Sequence, residues 1–154
     1  MASISLGKRL AVSLMCCALL GQPLQADEER RDKGRAGLDE LSNEMSTCAA
    51  YFSLLSSVIQ NSAEPQRKAP IAERMKSAGQ AMLTQAINIA TYIRMDDSVA
   101  MQRVELRLKE MVETINSDPA NSLQMMHTKY GQPCDALLRN APDRFLGLLK
   151  DYGD

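Results

Sequence analysis

LDELSNEMSTCAAYFSLLSSVI, residues 38–59, carries apolar side chains at Leu38, Leu41, Met45, Cys48, Phe52, Leu55 and Ile59. The steps alternate between three and four residues, which lays these positions on one stripe of an α-helix and turns Cys48 toward a core. A cysteine so placed in an exported chain needs a partner, and outside the first 26 residues the sequence offers one other, Cys134. Their pairing would close a loop of about 86 residues and stabilise the fold by on the order of 4 kcal/mol in the chain-entropy account. Two free thiols, a bond between chains or a redox pair are the other readings. For the last of these, neither C-x-x-C spacing nor a neighbouring basic cluster that would lower a thiol pKa is present.

Working outward toward the N-terminus, residues 1–26 have the three parts of a secretory signal. Lys8 and Arg9 precede an apolar run from Leu10 to Leu20, and Gly21 to Ala26 lead into an abruptly charged stretch, so cleavage is expected after Ala26. The apolar run is about eleven residues, short of the roughly twenty that cross a bilayer, so no stable membrane span is expected once the signal is removed. Met15 before Cys16 is unlike the small residue that precedes a lipidated cysteine. Subtracting Lys8 and Arg9 from 18 basic residues leaves 16 against 19 acidic ones, a formal net charge of −3. The basic residues are scattered among acids without aromatic interleaving, which argues against nucleic acid as a partner.

Residues 27–37, DEERRDKGRAG, are dense in both signs of charge and read as a solvated N-terminal arm, leaving residues 38–154 as one helical domain. The first helix spans about residues 37–61 and ends before Pro65. Pro70 suits an early helical position, and Ile71, Met75, Ala78, Met82, Ala86, Ile89 and Ile93 follow at helical spacing. Asp96 and Asp97 read as caps of a third helix with Met101, Val104, Leu108, Met111 or Val112, and Ile115 on its apolar face. The opposite face, from Arg103 to Glu113, reads as a solvated exterior, with Glu105 and Lys109 in the favourable i, i+4 order. Asp118 and Pro119 open a fourth helix through Leu123, Met126 and Tyr130. Gly131 with Pro133, and later Pro142, break it into shorter pieces, the last carrying Phe145, Leu148, Leu149 and Tyr152. The fold class is therefore all-α: an up-and-down bundle of about four helices, its C-terminal region broken into shorter helices, closed by one disulfide.

The chemistry-bearing residues are few. His127 is the one histidine, which removes two-histidine metal sites, and no G-x-S-x-G or glycine-rich phosphate loop occurs. Eight methionines remain after residue 26, and Met125-Met126-His127 is a trio that a copper-handling reading would use. Against it, Met45, Met75, Met82, Met101 and Met111 fall on core stripes as flexible fillers, and neighbours such as Met125 and Met126 point about 100° apart on a helix. The carboxylate pairs Asp39-Glu40 and Asp96-Asp97 read as helix-start residues, and Glu28-Glu29 as part of the charged arm. No catalytic residue and no cofactor is assigned, and an enzyme without a recognisable motif stands as a further alternative.

Cys48-Ala49-Ala50-Tyr51-Phe52, Tyr130, Cys134 with Leu137, and then Pro142 and Arg144 resemble a loose group of functionally uncharacterised, small, exported helical proteins of Proteobacteria. The resemblance implies the periplasm and adds no activity. The expectation is a non-catalytic periplasmic or secreted bundle that binds another envelope protein or a small ligand. The groove beside Gly79 and a seam around Tyr51 and Tyr92 are the surfaces considered. Oligomeric state is left open.

Overall fold

The computed structural model describes residues 22–62 and 64–153, and they are helical almost throughout. Helix α1 spans Gln22–Gln60, α2 Pro65–Tyr92, α3 Ser98–Ser117, α4 Ser122–Met126 and α5 Gln132–Gly153; a π-helical turn, His127–Gly131, joins α4 to α5. Of the expected export signal, residues 1–21 lie outside the described residues, while residues 22–26 open α1. Among the described residues no helix is long and apolar enough to cross a membrane.

The seam between α1 and α2 is built on small residues at seven-residue steps. Ser42, Ala49 and Ser56 on α1 lie against Ala86, Gly79 and Ala72 on α2, so the helices run antiparallel. The buried Ser42 and Ser56 hydroxyls each donate across the seam, to the Ala86 and Ala72 carbonyls at 2.9 Å. A Cβ on Gly79 would stand 3.0 Å from Ser53 Oγ and 3.2 Å from the Ala49 carbonyl. A seven-residue repeat keeps such a seam aligned along both helices. It also corrects two expectations: Ala72 rather than Ile71 is buried, and Gly79 is packed into the interface instead of lining a groove. Around the seam, Leu38, Leu41, Met45, Phe52, Met82, Ile89, Ile93, Val104 and Met111 form the core. Met101, expected there, is exposed, and Ala100 is buried in its place.

Residues 27–37 are helical, the first part of α1: their charged side chains are mostly exposed, while Gly34 and Gly37 meet α5. Arg30–Asp27 and Lys33–Glu29 ion pairs sit at helical spacing on the exposed side of α1, where water screens them. Gly34 is buried beneath the Asp151–Tyr152 backbone of α5, and the side chain of Leu148 lies over Gly37. Asp39 is accordingly mid-helix, and its carboxylate accepts from Arg103 Nη2 at 2.7 Å, tying α3 to α1. The α3 charged face is thus partly engaged: Arg103 crosses to Asp39 and Arg107 pairs with Glu110, whereas Glu105 and Lys109 form no ion pair among the described residues.

Helix α2 begins at Pro65, with Pro70 inside it. Its C-terminus closes with Arg94 N–H on the Thr91 carbonyl (3.0 Å) and Met95 N–H on the Ala90 carbonyl (2.9 Å), the Schellman pattern. This places Arg94 at φ 60°, the left-handed conformation glycine adopts without strain. Arg94→Gly is therefore expected to raise stability by about 0.5 kcal/mol, with a gain in thermal midpoint as the readout; a loss would show that the side chain itself holds the turn. Beyond it, the Asp96 carboxylate accepts the Ser98 N–H at 2.8 Å, while the Asp97 carboxylate takes the Thr91 hydroxyl instead of capping α3.

Pro119 lies in a turn stitched by Asp118 to Asn121, and α4 starts at Ser122. From there the C-terminal region is divided into shorter helices as expected, though by the π turn at His127–Gly131 and without a loop, while the last helix runs on through Pro142, where a further break was expected. Ser122, Met126, Tyr130 and Cys134 are all buried, at successive steps of four. In an ideal α-helix twelve residues turn about 120° beyond three full turns, so these positions could not share a face. The wider π turn absorbs that excess and delivers Cys134 to Cys48, with Cα atoms 5.4 Å apart. Gly131 is required inside it, since a Cβ there would lie 2.5 Å from His127 Nδ1 and 2.8 Å from the Tyr51 hydroxyl.

Candidate functional site

Helix α5 joins the bundle through α1. Among the described residues its backbone approaches neither that of α2 nor that of α3. Besides the apolar packing of Leu137, Ala141, Phe145 and Leu148 on the core, it is held by the disulfide, by Arg144 Nη1 and Nη2 on the Glu44 carboxylate (2.5 and 3.4 Å), and by the Gly34–Tyr152 contact, beside which Tyr152 packs edge-on to Tyr92 of α2 at 5.6 Å. A helix so mounted leaves a cleft along each flank.

The cleft toward α2 has a volume of about 430 Å³. Met45 and Ile89 lie at its base, Ala81 and Gln85 form the α2 wall, and Leu138, Pro142, Phe145 and Leu146 form the α5 wall. Leu138 and Leu146 are 45% and 56% exposed although both are leucines, and Gln85 is the one polar lining residue. Pro142 has no N–H, so the Leu138 carbonyl loses its helical donor within this same wall. The cleft is uncharged and open.

The cleft on the other flank, about 300 Å³, is different in chemistry. Its floor is the disulfide with Tyr130 and Leu137, and its walls carry Asn43, Glu44, Lys129, Asn140 and Arg144. The Lys129 ammonium stands 5.0 Å over the Tyr130 ring, and no carboxylate among the described residues pairs with it. Behind this wall Tyr51 and Tyr130 pack with ring centroids 6.3 Å apart. Burial first, and the Asp135 carboxylate second, hold the Tyr51 hydroxyl above the ordinary tyrosine range.

The residues singled out from sequence do not gather in one place. Cys48 and Cys134 are bonded to each other. Met126 is buried, Met125 is exposed and His127 is exposed on the π turn, so the trio points in divergent directions. Tyr51 is buried near the middle of α1, while Tyr92 is half-exposed at the end of α2 against Tyr152, so the two form no common seam. Among the described residues, no three His, Cys, Asp or Glu side chains converge as a metal ion would require.

Compared with protein-family models, curated proteins and solved structures, the chain matches none. The candidate surfaces therefore rest on geometry alone, and neither cleft was legible as such in the sequence. The signal for the apolar one was present in α5 as a second apolar stripe, Leu138, Pro142, Phe145 and Leu146, offset from the buried Cys134, Leu137 and Ala141.

Proposed function

We infer that this is a non-catalytic exported protein that binds another component of the bacterial envelope, and that its apolar groove between α2 and α5 receives an amphipathic helix of that partner. The groove carries the reading: two helices run parallel over a third, their facing walls are apolar, and Leu138 and Leu146 stand exposed two turns apart. Such a surface is matched by a helix presenting apolar residues at i, i+3, i+4 and i+7. Export is supported by the basic, apolar and small-residue order of residues 1–26 and by a disulfide of the kind that persists in oxidising compartments.

A photocrosslinking side chain placed at Leu138 is expected to capture one protein from the periplasm, and the same probe at the exposed Glu113 of α3 is not. Leu146→Glu should reduce that capture by about tenfold or more, since burying an unpaired carboxylate costs several kcal/mol. Leu146 being mostly exposed, folding stability should be unchanged within roughly 0.5 kcal/mol. Equal capture from both positions, or capture indifferent to Leu146→Glu, would remove the groove from the function.

A further inference from the structure

We propose that the cleft on the opposite flank of α5, floored by the Cys48–Cys134 disulfide, is a binding site for a small N-acylated amino acid or peptide end, held by its free carboxylate and its amide. Charge sets the first requirement. Of the three ionised groups on the walls, Arg144 and Glu44 satisfy each other through both guanidinium nitrogens, which leaves the Lys129 ammonium with the Tyr130 ring face beneath it and no anion beside it. The walls thus carry one uncompensated positive charge, which suits a monoanion. A phosphate dianion would meet Glu44 with no further cation to offset it.

The second requirement comes from the carboxamides. Asn43 on α1 and Asn140 on α5 line the cleft from opposite sides, and neither side chain is engaged in a hydrogen bond among the described residues. Each offers an N–H donor and a C=O acceptor, the complement of an amide's carbonyl and N–H. The floor of disulfide, Tyr130 and Leu137 is apolar and suits a small aliphatic side chain. A volume of about 300 Å³ lies at the lower end of ligand pockets, so it admits one or two residues and no helix. The site is preformed, because the disulfide and the Glu44–Arg144 pair fix α5 against α1 on either side of Asn140. It shares no lining residue with the apolar groove.

The test is calorimetric titration of the oxidised protein with N-acetyl-alanine, N-acetyl-alanyl-alanine and their C-terminal amides, with acetate and inorganic phosphate alongside. Saturable binding of an acetylated probe is expected, weakened about tenfold by amidation and about tenfold by Lys129→Gln, the loss of one charge-assisted hydrogen bond. Asn140→Ala should weaken it by several-fold, and both variants should keep the parent melting temperature because both residues are exposed. Equal binding of the one-residue and two-residue probes would identify a free acylated amino acid as the source; tighter binding of the longer one would identify a peptide end. Binding of acetate or phosphate as strong as that of the acetylated probes, or binding indifferent to Lys129→Gln, would overturn the proposal, as would no binding of any probe.

Discussion

Replacing Cys48 and Cys134 together by alanine is expected to lower the free energy of unfolding by on the order of 4 kcal/mol, measured by urea denaturation against the oxidised parent. The loop they close is 86 residues long, so the unfolded chain gains much freedom when the bond is absent. The effect should be concentrated in α5, whose backbone touches only α1 among the long helices and which keeps its apolar side chains Leu137, Ala141, Phe145 and Leu148 on the core, the exposed Glu44–Arg144 pair and the Gly34–Tyr152 contact as its remaining attachments. Amide exchange in α5 should therefore accelerate far more than exchange in the α1–α2 seam, where Ser42 and Ser56 remain bonded across the interface. Reductant added to the parent should reproduce the variant's midpoint, and labelling of the native protein should find no free thiol at either position. A loss under about 1 kcal/mol would mean that the unfolded chain is held compact by other contacts.

Gly34→Ala is the second large effect. A Cβ built there lies 2.6 Å from the Tyr152 amide nitrogen and 2.9 Å from the Asp151 carbonyl carbon. These are backbone atoms of a helix and cannot rotate aside as a side chain would, so α5 must lift from α1 at its C-terminal end. A loss of about 2 kcal/mol is expected, in line with overpacking elsewhere, despite alanine's better helix propensity. The contrast is Gly147→Ala on α5, where a Cβ meets nothing within 4 Å. That substitution should raise stability by up to about 1 kcal/mol through propensity alone. If Gly34→Ala stabilised by the same amount, residues 27–37 would be undocked from α5, and the description of α1 as one continuous packed helix would fail.

The pair also shows where sequence reading succeeded and where it could not. The stripe from Leu38 to Phe52 was legible because a buried amphipathic helix leaves a strict three-and-four pattern, and Leu38, Leu41, Met45, Cys48 and Phe52 are all core residues. The Cys48–Cys134 bond followed from that stripe by elimination. Residues 27–37 hid their helix because its buried positions are glycines, which carry no hydrophobic signal: Gly34 is covered by backbone and Gly37 by Leu148. Small residues concealed the α1–α2 interface for the same reason. Ala72, Gly79 and Ala86 sit at the closest approach, while the larger Ile71, which dominates any apolar count, faces out. Pro142 in the sequence predicts a break, yet α5 runs through it, because the one hydrogen bond it removes lies on the wall of an open cleft. The two clefts were illegible in a stronger sense. Each depends on α5 standing on α1 without closing against α2 or α3, a matter of tertiary placement that no local spacing encodes.

The π turn at His127–Gly131 gives the C-terminal rod an unusual tolerance of length. Ser122, Met126, Tyr130, Cys134, Leu137 and Ala141 occupy its inner face at steps of four, four, four, three and four. Dropping one residue between Met126 and Tyr130 would turn the run into four, three, four, three, four, which is the phase of an ordinary α-helix. Within α5 itself a single deletion would spin the downstream residues by about 100° and carry the lower half of the rod off its footing. Here the surplus residue is already stored as slack, just ahead of the cysteine whose aim matters most, so the staple can survive a miscount in the chain that leads to it.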